Sequence, residues 1–379
     1  MKVKWIAAIC AVIGLALPGC GDNAPKGTGP SPQASGPGPS AEAGGAGPSP
    51  KAGPTWTLVY DFAPHGSRVL RSILALGESW VVCSGESAVV AIERATGYVF
   101  RVETPFDRGG NLASSRGTIW MVGHRSCSFP ETTLYDLYEW RGSFWNPVWV
   151  SPDYPPGGPS AYRFASDEQG GLWIQIDGGL FVLRSDNSWT YAFQWGDGGW
   201  YYCKAMSVRP QAHEMWAAGW LENDDNLPGG IFVFSTLDLT VKRSYSTEDC
   251  KACDPDDLAG LCYDPVRDAM WVCADGFGPE NDKLSGWYAG KWHDFSIPGF
   301  AQWMWGGNEA SPVPMSADAR GDVWIACENQ LGKFEVDAAQ WQVFTAPFEV
   351  AGGIVGIVAA SAGEVWLVDY LGRIWRFQE

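Results

Sequence analysis

Residues 318–326 read DARGDVWIA, with Asp318 three residues before Gly321 and six before Trp324. The stretch contains Arg320-Gly321-Asp322, a tripeptide known as a cell-attachment signal, but its surroundings recur along the chain. GESW (77–80), GTIW (117–120), GGLW (170–173), HEMW (213–216), DAMW (268–271), GDVW (321–324) and GEVW (363–366) form a series whose tryptophans are 40, 53, 43, 55, 53 and 42 residues apart. Each tryptophan begins or continues an apolar run: WVVC, WMVG, WIQI, WAAG, WVCA, WIAC and WLVD. A second apolar segment follows, as in LFVLR, IFVFS, LGKFEV and RIWRF. In five units a third comes after it: YVFRVE, WTYAF, VKRSYS, WHDFS and WQVFT. A short segment ahead of each turn (RSILAL, NLASS, YRFAS, KAMSV, LAGLC, PVPMS, GIVGIVAAS) completes four strands per repeat.

Four-stranded repeats of this length specify an all-β fold, a β-propeller, and seven repeats specify seven blades. The 22 Trp and 47 Gly in 379 residues suit short strands joined by tight turns. The final repeat stops after its third strand, and WTLVYDFAP (56–64) resembles the outer strand WQVFTAP (341–347). Strand 56–62 is therefore expected to complete the last blade and close the ring, which removes exposed sheet edges. The propeller is assigned to residues 55–379.

The repeat resembles that of the two-component-regulator propeller family, D-x-x-G-x-[LVI]-W-I, best at Asp318-x-x-Gly321-x-Val323-Trp324-Ile325 and Asp167-x-x-Gly170-x-Leu172-Trp173-Ile174. Family members are often sensor modules, so the resemblance implies a fold shared by many functions. It also assigns the RGD. Gly321 occupies the position of Gly77, Gly117, Gly170 and Gly363, a tight turn where a positive φ is needed, so the tripeptide is expected to be a turn.

Turns between strands one and two, and three and four, fall on one face of a propeller and are short here. The connections on the other face carry the insertions: 124–133, 151–160, 195–202, 221–230, 275–284 and 297–312. Long, variable loops on a rigid scaffold commonly hold function. The binding candidates on that face are Trp195, Trp200, Tyr201, Tyr202, Trp303 and Trp305, flat side chains suited to stacking on sugars or anchoring a protein. The alternative for each is packing within its loop. Acidic runs at 222–226 and around Asp249, Asp254, Asp256 and Asp257 offer oxygens for calcium but lack the alternating spacing of a calcium loop, and read as solvated surface. No cofactor is expected.

No ring of acids lies on the innermost strands, and of the four histidines only His65 and His124 would approach the insertion face. The reading is therefore non-catalytic binding of a protein partner or glycan. The alternatives are a polysaccharide- or lactone-acting propeller enzyme and a structural envelope component. Eight cysteines remain beyond residue 20, an even number that suits disulfides in an exported chain. Cys262 and Cys273 flank a hairpin turn and are candidates to face each other. Cys250-Lys-Ala-Cys253 is the other candidate disulfide, with metal or redox roles as alternatives.

The N-terminus assigns the compartment. Lys2 and Lys4 precede an apolar run from Trp5 to Leu17, too short to span a bilayer and suited to an export signal. It ends in Leu17-Pro18-Gly19-Cys20, which resembles the bacterial lipobox, although Pro18 departs from the usual small residue. The resemblance implies a signal peptide over 1–19, cleavage after Gly19 and lipidation of Cys20, a membrane anchor in the cell envelope. Residues 21–54, rich in Gly, Pro, Ser and Ala with no large apolar side chain, read as a tether spanning roughly 30–35 Å as a flexible coil. The net charge of −17 argues against a nucleic-acid partner, which requires clustered Lys and Arg.

Overall fold

A computed structural model of the protein describes residues 53–62, 72–85, 87–104, 110–126, 133–150, 163–176, 179–193, 200–222, 230–253, 258–274, 283–297, 313–327, 329–346 and 353–379. These form seven antiparallel four-stranded sheets. Six blades take their strands consecutively, within 72–103, 112–150, 164–193, 200–245, 258–296 and 315–345. The seventh combines Ile354–Ser361, Glu364–Asp369 and Arg373–Gln378 with the first strand of the chain, Thr55–Asp61. The closure expected from residues 56–62 is thus present. Thr55 pairs with Gln378 and Asp61 with Arg373, a bulge after Leu58 bends the strand, and Phe62 N–H donates to Gly372 O at 2.8 Å.

Each pair of neighbouring blades encloses its own apolar cluster, and together the seven clusters run round the ring. Strand alternation explains this: every second residue of a blade's second strand meets the next blade. Trp120, Trp173, Trp216, Trp271, Trp324 and Trp366 lie there, each essentially inaccessible to solvent. Truncating one of them to alanine would cost about 3–5 kcal/mol.

Trp80 departs from the series. It is the first residue of its strand, pairs with Leu76 and is only half-buried. In the other six blades the tryptophan enters the ladder later, as Trp120 does against Ala113 and Trp324 against Ser316. The equivalent position in blade 1 is Val82, fully buried against Leu112, Ile119 and Met121 of blade 2. The volume of the absent indole is taken from the other side by Trp140 and Trp145, whose rings lie 5.1 Å apart.

The expected facing of Cys262 and Cys273 is not met. The register sets Cys262 opposite Trp271 and Gly260 opposite Cys273, so the two are offset along the ladder although both are buried in the core between blades 5 and 6. In the connection from blade 4 to blade 5 the sulfurs of Cys250 and Cys253 lie within bonding distance, with Cα atoms 5.3 Å apart and both side chains buried. Ala252 N–H donates to Ser285 Oγ, which donates in turn to Asp294 at 2.6 Å, so this connection is hooked onto blade 5.

Candidate functional site

The two faces of the ring are built by different rules. On the short-turn face the repeat motif becomes a hydrogen-bonded device. In blade 3, Asp167 Oδ1 accepts from the N–H groups of Gln169 (2.9 Å) and Gly171 (2.6 Å), while Oδ2 accepts from Trp173 Nε1 at 2.7 Å. Asp318 repeats this in blade 6, accepting from Arg320 and Asp322 N–H and from Trp324 Nε1, and it adds Gly363 N–H of blade 7 at 3.2 Å. The carboxylate thus shapes the turn and satisfies an indole that burial would leave without water. Burial pushes the Asp167 carboxyl above its usual range, against the pull of these donors. Blades 4 and 7 achieve the same end from a carboxylate two residues before the tryptophan: Glu214 accepts from Trp216 and Glu364 from Trp366.

Side chains then stitch neighbouring turns together. Arg116 donates to Gly170 O, Glu168 accepts from Thr236 and pairs with His213, and Arg209 pairs with Asp268. Arg267 donates to Gly321 O, Arg320 pairs with Glu379, and Arg94 pairs with Glu364 at 2.7 Å. Among the described residues these contacts cross six junctions between blades. Between blades 1 and 2 the bond from Ser84 Oγ to Gly110 O lies towards the other face. Burial raises the Glu364 carboxyl, but Arg94, Trp366 and Ser361 together hold it below the ordinary carboxylate range. Arg320 and Lys333 likewise outweigh burial at Glu379.

The RGD sits inside this network. Gly321 has φ +81°, and a side chain there would collide with Arg267 of blade 5. Arg320 is bonded to Glu379, and Asp322 lies 3.5 Å from Lys333, itself buried against the Trp324 ring. The tripeptide is a turn, with both of its charged groups occupied.

On the opposite face the strands overrun the ring. The second and third strands of blade 2, Thr118–Ser126 and Thr133–Trp140, pair out to Ser126 and Thr133. The first and second strands of blade 4, Trp200–Arg209 and Glu214–Glu222, pair out to Trp200 and Glu222. Elsewhere most strands are three to seven residues long, so each hairpin carries about 10 Å of additional ladder outward. The loop expected over 195–202 is therefore strand from residue 200: Trp200, Tyr201 and Tyr202 stand opposite Glu222, Leu221 and Trp220. His124 is in the blade 2 hairpin opposite Tyr135. Trp195, Trp303 and Trp305 lie outside the described residues, as do His65 and Cys20.

Along the channel, innermost strands are tied by polar contacts: Ser166 Oγ to Ser114 O at 2.7 Å, Ala359 N–H to Ser316 Oγ at 3.0 Å, and Arg163 Nε to Lys204 O at 2.6 Å. Among the described residues no three His, Cys, Asp or Glu side chains converge to hold a metal, and no helix is long and apolar enough to cross a membrane. His213 lies on the short-turn face and His293 in an outer strand, stacked on Tyr288. Sequence reasoning did not anticipate the blade 2 and blade 4 overhangs as ladder; the continuous apolar runs in TIWMVGH and EMWAAGW do not mark where the strands end.

No protein-family model matches the chain, and no characterised protein matches it in sequence. Solved structures do share its architecture. A streptogramin B lyase superposes with a TM-score of 0.59 at 14% identity, over 86% of this chain and 97% of that one. The extracellular domain of a putative hybrid two component system, BT3049 from B. thetaiotaomicron, gives 0.57 at 11% identity, over 86% of this chain and 41% of that one. YCF48 bound to a D1 peptide gives 0.57 at 10% identity, over 87% and 96%. These likenesses establish the seven-bladed propeller fold. Their functions differ from one another, so the fold names none of them for this chain.

Proposed function

We propose that the chain is an exported lipoprotein, anchored in a bacterial membrane through Cys20, whose propeller binds a protein partner or a glycan through the insertion-bearing face without catalysis. The observation that carries this reading is the asymmetry of the faces. One is locked by carboxylate, indole and guanidinium contacts, whereas the other projects two extended hairpins rich in aromatic residues. Rigid scaffolds of this kind present their variable side for recognition. YCF48 is seen with a peptide bound, which supports a protein partner for a propeller of this architecture. Residues 1–19 serve as the export signal and 20–54 as lipidated tether. In an oxidising envelope Cys250 and Cys253 are joined as a structural disulfide that holds the connection between blades 4 and 5.

The test is a glycan array and an envelope-extract pull-down with residues 55–379, beside two variants, Trp200→Ala/Tyr202→Ala and Trp303→Ala/Trp305→Ala. Binding that is present in the parent and lost in either variant supports the reading. No binding by the parent in any format would move the weight to an enzyme or a structural envelope component.

A further inference from the structure

The strand that closes the ring also decides where the chain enters it. Thr55 pairs with Gln378, whose neighbour Glu379 is held on the short-turn face: its N–H donates to Gly363 O, and its carboxylate receives Arg320 and Lys333. Asp61, at the other end of the same strand, pairs with Arg373, and Phe62 follows onto Gly372 in the turn between the second and third strands of blade 7. That turn is on the insertion face. The first strand therefore ascends from the short-turn face to the insertion face, and everything N-terminal to Thr55 joins the propeller on the short-turn side, at the outer rim of blade 7.

We propose that the short-turn face is the bilayer-facing surface of this protein, and that the insertion face points away from the membrane that holds the anchor. The proposal rests on the reading of Cys20 as lipidated. The tether reading supplies the physical bias. A 34-residue coil spans roughly 30–35 Å, and strands of five to seven residues make the ring about 20 Å thick. With the insertion face turned down, the coil would have to cover that thickness as well and would lose conformations.

A second, independent feature of the same face fits a lipid surface. Tyr98, Phe144, Leu237 and Val266 stand 53–57% exposed at turn tips of blades 1, 2, 4 and 5, all on the short-turn side. Aromatic and aliphatic tips settle readily at the headgroup boundary. Asp238 stands beside Leu237 among these tips, and the chain carries a formal net charge of −17, so the face suits zwitterionic headgroups and is repelled by anionic ones.

The experiment uses the full-length lipidated protein in zwitterionic vesicles. One fluorophore is placed by codon suppression at Ser143, exposed on the short-turn face, or at Leu371, exposed on the insertion face, and energy transfer to headgroup acceptors is measured. Ser143 lies two blades round the ring from the tether root, so it reports the face and not the attachment point. The expected result is a Ser143 label about 20 Å nearer the headgroups than the Leu371 label, with the difference shrinking in anionic vesicles. Equal or reversed distances in a protein that floats with the vesicles would overturn the orientation alone. A native chain that behaves like Cys20→Ser and fails to float would remove the anchoring reading, and the orientation with it.

Discussion

The two ends of the same strands make an instructive contrast. At the short-turn end most blades are solved alike: a carboxylate or carbonyl meets the turn or the indole, and a charged side chain usually reaches the next blade, although Trp271 Nε1 of blade 5 is buried without a hydrogen-bond partner. At the insertion end the ladders of blades 2 and 4 run on while those of blades 3 and 6 begin with strands of only three residues. A buried donor without a partner costs about 1–3 kcal/mol, so the first end is held to a narrow set of residues. The second end faces no such constraint and is where lengths diverge.

That contrast can be broken in graded steps. Deleting Thr55–Asp61 should have the largest effect, because it strips blade 7 of its outer strand and bares the edge of Arg373–Gln378. Loss of cooperative thermal unfolding, with association visible by light scattering, is the expected outcome. Next comes Trp324→Ala, expected to cost about 3–5 kcal/mol in chemical denaturation, set against Trp80→Ala, expected to cost well under half of that. Equal losses at the two sites would contradict the displacement of Trp80 from the core series.

Asp318→Ala removes one carboxylate but leaves the Trp324 indole and three backbone N–H groups unpaired. A loss of about 2–4 kcal/mol is expected, larger than for Arg320→Ala. Acid should act on the same face. Glu364 and Glu379 are held below their ordinary range in the folded protein, so they bind fewer protons folded than unfolded. Their contribution is complete above the unfolded value of about 4.3 and disappears as pH falls through the lower folded values. A Glu364→Gln variant should therefore show a flatter stability profile below about pH 4.3 than the parent. The smallest effect belongs to the other face: Leu371→Ser, in an exposed turn, should change stability by no more than about 0.5 kcal/mol.

Most of the architecture was legible because the repeat is written in chemically unusual residues. A tryptophan six residues after an aspartate has one economical arrangement, and Asp167 and Asp318 both adopt it. The ring closure was legible in the likeness of 56–64 to 341–347. Trp80 misled because GESW copies the letters of GTIW while its turn is longer, three residues (77–79) against two (116–117), which moves the indole two places along the ladder and leaves Val82 in its position. Cys262 and Cys273 misled for a related reason: their separation is compatible with facing, but the turn over Asp264–Ala269 sets a register that offsets them. The site was the least legible part. Trp200 to Tyr202 looked like loop because Gly and Asp precede them, yet cross-strand pairing with Trp220 to Glu222 makes them ladder, a long-range fact that no local pattern reports.

Ring closure by the first strand also has a kinetic side. Thr55 must find Gln378 across more than three hundred residues, and drawing together the ends of so long a loop costs about 5 kcal/mol of chain entropy before any contact rewards it. Blades 1 to 6 are each assembled from contiguous segments and can form early, whereas the seventh waits for the last strand to arrive. Until then the edge of Arg373–Gln378 stands open. If the chain is exported N-terminus first, as proposed above, the closing step is the last event of folding, reached only after Arg373–Gln378 has crossed.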